Sequence, residues 1–485
     1  MDLDRVFANG RFVALFRLML RNNLVTKQIV RYMEKRAYEA LVVNTKDRPF
    51  KARQDRYDLL VALLNGFVRV HAKGQISKGV TDRIVDSFIS NIVLAPYDET
   101  NKGKAVDAPF TLAISPTQKC NLKCIGCYAA SDSKCDATLE FDVFDRMLTE
   151  KVDLWGSHFT VISGGEPFLY ESGGKGFLDA VERHLDQTFM VYTNGMLFTR
   201  DVTKRMADLG NVYPAISVEG FEAETDARRG KGVYAKIMKA MEDLREAGVP
   251  FGVSATATRN NWEVVTSEKF VRHFFLDQNV IFMWIFQYMP IGRAHTLDLM
   301  VTPDQRKKML ERTWQYVRRD GYFLADFWNS GTAGFGCISA ARPGGYLYVN
   351  WHGDIMPCVF APFSTDNIYN IYKSGGNLNT VLTSPFFKFI QQWQEKYGYD
   401  PHVHQPDNWL APCIIRDHFK AFLAAASKAG ARPADADAAA AVGDPAYIDG
   451  LAAYGKEFYR ITQADWQKDY IADRVPAGDL ASAGD

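Results

Sequence analysis

Net charge is missing from this chain: 57 basic residues balance 57 acidic ones in 485, and the isoelectric point is about 7.1. No global field therefore recruits nucleic acid. Long hydrophobic runs are missing too. The longest apolar stretch near the start, Phe12 to Leu20, is interrupted by Arg17 and has no small-residue cleavage site after it. It falls far short of the roughly 20 residues that a membrane span needs. Neither a secretion signal nor a membrane span is expected, and a cytoplasmic location is. Cysteine is scarce and odd in number, seven in all, yet three of the seven fall within eight positions. In a reducing compartment such crowding reads as metal ligation rather than disulfide pairing. What the chain does have, 47% hydrophobic residues beside 24% charged ones, is the composition of a folded, soluble protein. Its length exceeds one ordinary core and points to two or three domains.

Residues 1–105 read as a helical N-terminal domain. Phe12, Leu15, Phe16, Met19 and Leu20 recur at helical spacing, and so do Ile29, Met33, Tyr38 and Leu41. Leu59, Leu60, Leu63, Leu64 and Val68 repeat the pattern, as do Ile84, Phe88 and Ile92. Basic residues crowd the first two helices: Arg11, Arg17, Arg21, Lys27, Arg31, Lys35 and Arg36. One reading is a helical cap with its charges in solvent. The other is a surface that touches a membrane or a lipid-like substrate.

From Ala108 the period changes. Short apolar strands are expected at Phe110 to Ile114, Phe159 to Ile162, Phe189 to Tyr192, Tyr213 to Ser217, Phe251 to Thr256 and Ile281 to Phe286. Helical stretches lie between them, such as Phe141 to Lys151, Phe177 to Leu185, Val202 to Leu209 and Tyr234 to Ala247. This alternation predicts an α/β unit over residues 106–300, a parallel sheet that right-handed crossovers curl into a full or partial barrel. After about Thr302 the alternation stops. Pro303 to Arg319 reads as a helix, and a region rich in glycine, aromatics and the remaining cysteines extends to residue 420. Residues 421–485 are alanine-rich: a helix, a loose connector, a second amphipathic segment and a disordered end from about Val475.

The chemistry-bearing residues begin with C-N-L-K-C-I-G-C-Y directly after the first strand, with cysteines at 120, 124 and 127. Three thiolates on one loop hold three irons of a cubane and leave the fourth open. Zinc is the competing reading, but structural zinc takes four ligands, usually as two separated pairs, and only Cys135 stands near. The second signal is S-G-G-E-P, Ser163 to Pro167, after the second strand. Adjacent glycines let a ligand approach the backbone, and a plain turn is the alternative. Position strengthens the signal, because active sites of parallel barrels form at the C-terminal ends of the strands. T-N-G (Thr193 to Gly195) ends strand three and S-V-E-G (Ser217 to Gly220) strand four. Ser254 and Thr256 lie on strand five, and Gln287 follows strand six.

With C-x3-C-x2-C followed by G-G-E-P, the stretch from Ala108 to Arg293 resembles the radical S-adenosylmethionine (radical SAM) superfamily. The resemblance implies a partial (β/α)6 barrel, a 4Fe-4S cluster on Cys120, Cys124 and Cys127, and S-adenosylmethionine chelating the open iron. It implies that Tyr128 lies near the adenine, that Gly164, Gly165 and Glu166 hold the methionine amino group, and that Ser217 and Glu219 contact ribose. Arg229, in A-R-R-G, would stand near the carboxylate. Glu219 departs from the aspartate of many relatives. The implied reaction is one-electron cleavage of the sulfonium to methionine and a 5′-deoxyadenosyl radical, which abstracts hydrogen from a substrate carbon. A one-electron donor of flavodoxin or ferredoxin type goes with it.

Fifteen residues separate Cys337 from Gly353, and four separate Gly353 from Cys358. This resembles the opening of the SPASM and twitch extensions, in which a glycine turns a hairpin (here Tyr346 to Val349 and Ile355 to Pro357) and the cysteines bind an auxiliary 4Fe-4S cluster. Cys413 would be its third ligand. The dense cysteine run of a complete SPASM domain is absent, so the resemblance implies one auxiliary cluster in a small, truncated extension over residues 301–420. Its fourth iron would be open, or take Asp417 or His418. Three buried, unligated thiols are the alternative, and Cys135 is expected to be a spare thiol. The aromatics from Phe275 to Tyr288 and the basic start lean toward a small-molecule or lipid substrate, with peptide or protein substrates as the other option. A non-catalytic electron-transfer or redox-sensing iron–sulfur protein would lack the S-adenosylmethionine residues, and a zinc-stabilised interaction protein would hold zinc and show no iron absorbance.

Overall fold

Six four- to seven-residue strands alternate apolar residues on both faces, which suits a parallel sheet buried on each side. The computed structural model describes residues 23–84, 108–293, 295–400 and 405–472. In it the strands are β1 (Thr111–Ile114), β2 (Phe159–Ile162), β3 (Thr188–Thr193), β4 (Val212–Val218), β5 (Gly252–Ala257) and β6 (Phe282–Gln287). Each pairs in parallel with the next. Crossover helices such as Phe141–Trp155, Arg200–Leu209 and Val233–Ala247 cover the outside. The register aligns one inward row, in which Ala113 stands beside Val161, Val161 beside Met190, Ser217 beside Ser254, and Ser254 beside Trp284. A two-residue side-chain period therefore turns these residues into a common interior.

The alternation does not stop at Thr302. Helix Pro303–Asp320 is itself a crossover, and β7 (Phe323–Asp326) returns in parallel beside β6. β8 (Tyr346–Val349) and β9 (Asp354–Met356) form the expected hairpin, and β8 also pairs in parallel with β1. With β10 (Asp366–Asn367), the sheet runs β10-β9-β8-β1-β2-β3-β4-β5-β6-β7. The cysteine-bearing hairpin is thus an edge of the main sheet, pinned by the Tyr348 hydroxyl donating to Ser115 Oγ at 2.7 Å. Local patterning of four residues cannot reveal a partner more than 200 positions away.

Helix Phe50–Ala72 closes the end of the barrel opposite the loops. Leu63, Phe67 and Val70 pack against Met190, Ala215, Ile281 and Phe282. Gly66 permits the contact, since a Cβ there would lie 2.7 Å from the Ile281 carbonyl oxygen. Buried Asp55 of the same helix accepts from Arg318, Thr332 and Tyr470, tying it to the C-terminal part of the chain. Ahead of it, helix Asn23–Tyr38 presents Lys27, Arg31, Lys35 and Arg36 to solvent. Phe12 to Leu20, Arg11, Arg17, Arg21, Phe88, Ile92 and the tail from Val475 lie outside the described residues. Among the described residues no helix is long and apolar enough to cross a membrane. In the alanine-rich part, helix Ala436–Gly443 is capped by Asp435, whose carboxylate accepts from Ala438 N at 2.7 Å.

Candidate active site

The loop after β1 is held from three sides. Across from it, the Gly165 and Glu166 amides donate to the carbonyls of Thr117 and Lys119 at 2.9 and 2.8 Å. This approach needs glycine, because a Cβ on Gly165 would sit 2.2 Å from the Lys119 carbonyl oxygen, and Gly164 has φ +115°. Tyr128 accepts from the Gly164 amide at 3.0 Å. From the far side, Arg228 donates to the Ile125 carbonyl at 3.0 Å, and Arg293 donates to those of Cys124, Ala130 and Ser131.

Cys120, Cys124 and Cys127 line one cavity of about 300 Å³, within the size range of ligand sites. Tyr128, Gly164, Gly165, Ser217 and Arg229 line it as well. N–H donors are already aimed at the sulfurs: Leu122 N and Asn194 Nδ2 lie 3.5 and 3.8 Å from Cys120 Sγ, and Arg229 Nη1 lies 3.9 Å from Cys124 Sγ. Such donors suit thiolates. Burial pushes the Cys120 thiol up to about 12, so ligation there releases a proton. Among the described residues no three His, Cys, Asp or Glu side chains stand at the spacing of a single metal ion. Cubane thiolates bind separate irons and stand further apart. The donors and the room fit a three-thiolate cluster with a small charged ligand beside it.

Two of the expected contacts are placed differently. Glu166 and Glu219 are fully buried and do not line the cavity. The Glu166 carboxylate accepts from Thr193 Oγ1 at 2.7 Å and from the Asn194 amide at 2.8 Å, fastening the turn after β2 to the end of β3. Burial pushes it up to about 7. Glu219 accepts from Arg228 and from Arg229, each at 2.5 Å, and from the Thr256 amide at 3.1 Å. Its role is to hold two arginines, and Arg228 joins Arg229 on the cavity wall. Sequence reasoning missed Arg228 and Arg293 as site residues and had Asn194 only within the T-N-G turn; the doubled arginine of A-R-R-G was the available signal for Arg228.

The rest of the wall is largely aromatic: Tyr192, Trp284, Phe286, Phe327 and Phe360. Trp284 and Phe286 thus serve the cavity, whereas Phe275 and Phe282 of the same stretch are buried in the core. Gln287 interrupts the apolar lining. Its Nε2 donates to Asp326 at 2.8 Å, while Oε1 is buried without a partner.

Behind the aromatic wall stand Cys337, Cys358 and Cys413. The Tyr346 hydroxyl lies 2.7 Å from Cys358 Sγ, Ser339 Oγ 3.2 Å from Cys337 Sγ, and Arg416 N 3.4 Å from Cys413 Sγ. Burial, with the neighbouring Cys337 among the further causes, pushes the Cys413 thiol well up, and burial pushes Cys358 up to about 12. The two expected fourth ligands already have hydrogen-bond contacts here. Both oxygens of Asp417 are taken by buried Arg306, and His418 Nε2 is 3.0 Å from the Ala411 carbonyl oxygen. Cys135 stands apart, 3.8 Å from Asp132 Oδ1.

Residues 114–265 match the Radical SAM superfamily. The chain therefore carries a radical SAM domain over these residues. It is 26% identical over 305 residues to the mycofactocin maturase MftC of Mycolicibacterium smegmatis, covering 60% of this chain and 74% of that one. To the AdoMet-dependent heme synthase of Methanosarcina barkeri it is 25% identical over 296 residues, covering 54% and 80%. Among solved structures, Streptococcus suis SuiB bound to its precursor peptide SuiA is similar at 18% identity and a TM-score of 0.44, covering 52% of this chain and 60% of that one. The radical SAM match takes in the three-cysteine loop, the G-G-E-P turn and the A-R-R-G arginines.

Proposed function

We propose that this radical SAM enzyme binds a 4Fe-4S cluster on Cys120, Cys124 and Cys127, with S-adenosylmethionine beside it in the same cavity. The observation that carries the reading is that three thiols from one loop, two adjacent glycines and two arginines held by buried Glu219 share one cavity wall. When bound and reduced, cluster and cosubstrate together supply a 5′-deoxyadenosyl radical that takes a hydrogen atom from a substrate carbon.

The chain's own residues do the positioning. Gly164 and Gly165 present backbone to the amino-acid end of S-adenosylmethionine, and Glu166 braces that turn from behind. Arg228 and Arg229, oriented by Glu219, face its carboxylate, and Ser217 and Tyr128 serve the nucleoside. The aromatic wall keeps water from the reacting centre. The substrate group that such a wall accepts is apolar, and the Gln287 Oε1 acceptor suits a single N–H or O–H on it. Because the relatives include maturases as well as a heme synthase, a peptide substrate stands beside the small molecules and lipids favoured from sequence. Cys337, Cys358 and Cys413 hold an auxiliary 4Fe-4S cluster, and a flavodoxin- or ferredoxin-type protein delivers the electron.

The test is oxygen-free reconstitution, followed by a strong one-electron reductant and S-adenosylmethionine, with chromatography for 5′-deoxyadenosine. Wild type is expected to release it and Cys124→Ala is not. A fully loaded, reducible wild type that releases none overturns the proposal and favours an electron-transfer protein.

A further inference from the structure

Arg416 is an anomaly that the reaction above does not use. It is wholly buried, yet Nε and Nη1 have no hydrogen-bond partner. Only Nη2 is engaged, donating to the Tyr454 hydroxyl at 2.9 Å, and the guanidinium lies 5.0 Å from the ring centres of Trp328 and Tyr454. Among the described residues it has no carboxylate partner. Arg306 shows the usual solution nearby, a buried arginine paired with both oxygens of Asp417. An ionised group buried without a counter-charge is strongly unfavourable, so such a group implies an anion that belongs beside it.

The neighbouring carboxylates among the described residues are engaged elsewhere, Asp417 with Arg306 and Asp326 with Gln287 and Asn329, which leaves the thiolates. The Arg416 amide already donates to Cys413 Sγ at 3.4 Å, and Cys413 is grouped with Cys337 and Cys358. Arg342, also buried, approaches the same group: its Nε donates to the Cys337 carbonyl at 2.5 Å, and its other nitrogens meet the carbonyls of Gly334 and Pro343. Two buried cations without carboxylates therefore adjoin the segments that carry the three thiols. As neutral thiols the group leaves both charges uncompensated. As three thiolates on an iron–sulfur core it carries net negative charge and balances them.

We infer that Arg416 is the buried counter-cation of the auxiliary cluster, stabilising its more negative, reduced form and so raising its midpoint potential. The inference rests on the auxiliary cluster proposed for Cys337, Cys358 and Cys413. It makes Arg416 a positioning and tuning residue, with no contact to the reacting atoms required.

Two readouts that do not depend on turnover test it on the full-length protein. Iron is counted and the midpoint potentials are titrated by electron paramagnetic resonance in wild type, Arg416→Met and Arg416→Lys. Thermal unfolding is followed for each with and without reconstituted clusters. Arg416→Met should shift one of two midpoint potentials to more negative values, and Arg416→Lys should restore most of it. Metal-free Arg416→Met should melt at or above the temperature of metal-free wild type, since it loses an uncompensated charge, whereas the loaded variant should melt below loaded wild type. Should Arg416→Met fail to retain the second cluster, that reversal of order still decides the matter. Two clusters with unmoved potentials and the same melting order in both states overturn the counter-cation role alone. A wild type that never takes more than the iron of one cluster overturns the auxiliary cluster, and this inference with it.

Discussion

Replacing Glu219 by Gln should disarm the arginine pair without touching a cavity-lining atom. The Glu219 side chain is 0% exposed, against 15% for Arg228 and 11% for Arg229, and one carboxylate oxygen receives both guanidinium groups. Removing one partner of a buried ion pair costs about 3–5 kcal/mol, because the remaining charge is stranded. Here that remainder is two cations, partly relieved by Arg228 bonds to the Ile125 and Gly126 carbonyls, so the lower end of the range is expected. Losing one well-aimed charged hydrogen bond to a ligand carboxylate costs about 1.5–3 kcal/mol, roughly a ten- to hundredfold loss of affinity. Urea unfolding of the metal-free protein reads the first effect, and equilibrium dialysis of S-adenosylmethionine against reconstituted protein reads the second. Glu219→Asp keeps the charge but shortens the reach, and should fall between. If Glu219→Gln unfolds at the wild-type urea concentration and binds S-adenosylmethionine equally well, the assignment of Glu219 as holder of the arginines is wrong.

Gly165→Ala should separate the G-G-E-P turn from the cysteine loop, since the added carbon would lie 2.2 Å from a backbone oxygen that cannot yield cheaply. Overpacking of about 1–3 kcal/mol and reduced iron retention after reconstitution are expected, and wild-type iron content would contradict this. Asp55→Ala strands the buried Thr332 and Tyr470 hydroxyls and should cost about 2–3 kcal/mol in urea unfolding, with faster proteolysis of helix Phe50–Ala72. Buried Lys151 is pushed down to about 7, with the Ser157 carbonyl as its acceptor. The folded state therefore releases a proton that the unfolded chain keeps up to about pH 10.5, so this residue's contribution to stability rises with pH across that window. Lys151→Met should be the more stable protein at pH 7, on the order of 4–5 kcal/mol, with the gap closing toward pH 10. A gap that does not depend on pH would refute this.

How much of this could be read from sequence depended on how local the signal was. The six core strands and the hairpin at Gly353 were legible because alternation and turn residues are short-range features. The parallel docking of Tyr346–Val349 on Thr111–Ile114 was not, because its partner lies far away in sequence and four apolar residues carry no address. The same holds for Phe323–Asp326, which ends on an acid and runs straight on into Phe327 and Trp328, so no turn residue bounds it. At the site, the cysteines and glycines were legible as motifs, but the direction of the carboxylates was not. Ser217 points inward by the period of its strand, and extending that period would bring Glu219 in too. The strand ends at Val218, however, and the chain turns Glu219 toward the arginines. Glu166 also lies beyond its strand, where side-chain direction follows the turn. Arg293 acts across space on the cysteine loop, which spacing alone could not disclose.

The central claim, that S-adenosylmethionine binds at the cluster of Cys120, Cys124 and Cys127, is tested most directly by electron paramagnetic resonance of the reduced, reconstituted protein before and after its addition. The account predicts that the signal of one cluster changes on addition, and that this responsive signal is lost when the three cysteines are replaced by alanine while the other remains. A reduced spectrum that S-adenosylmethionine leaves unmoved in wild type would contradict it.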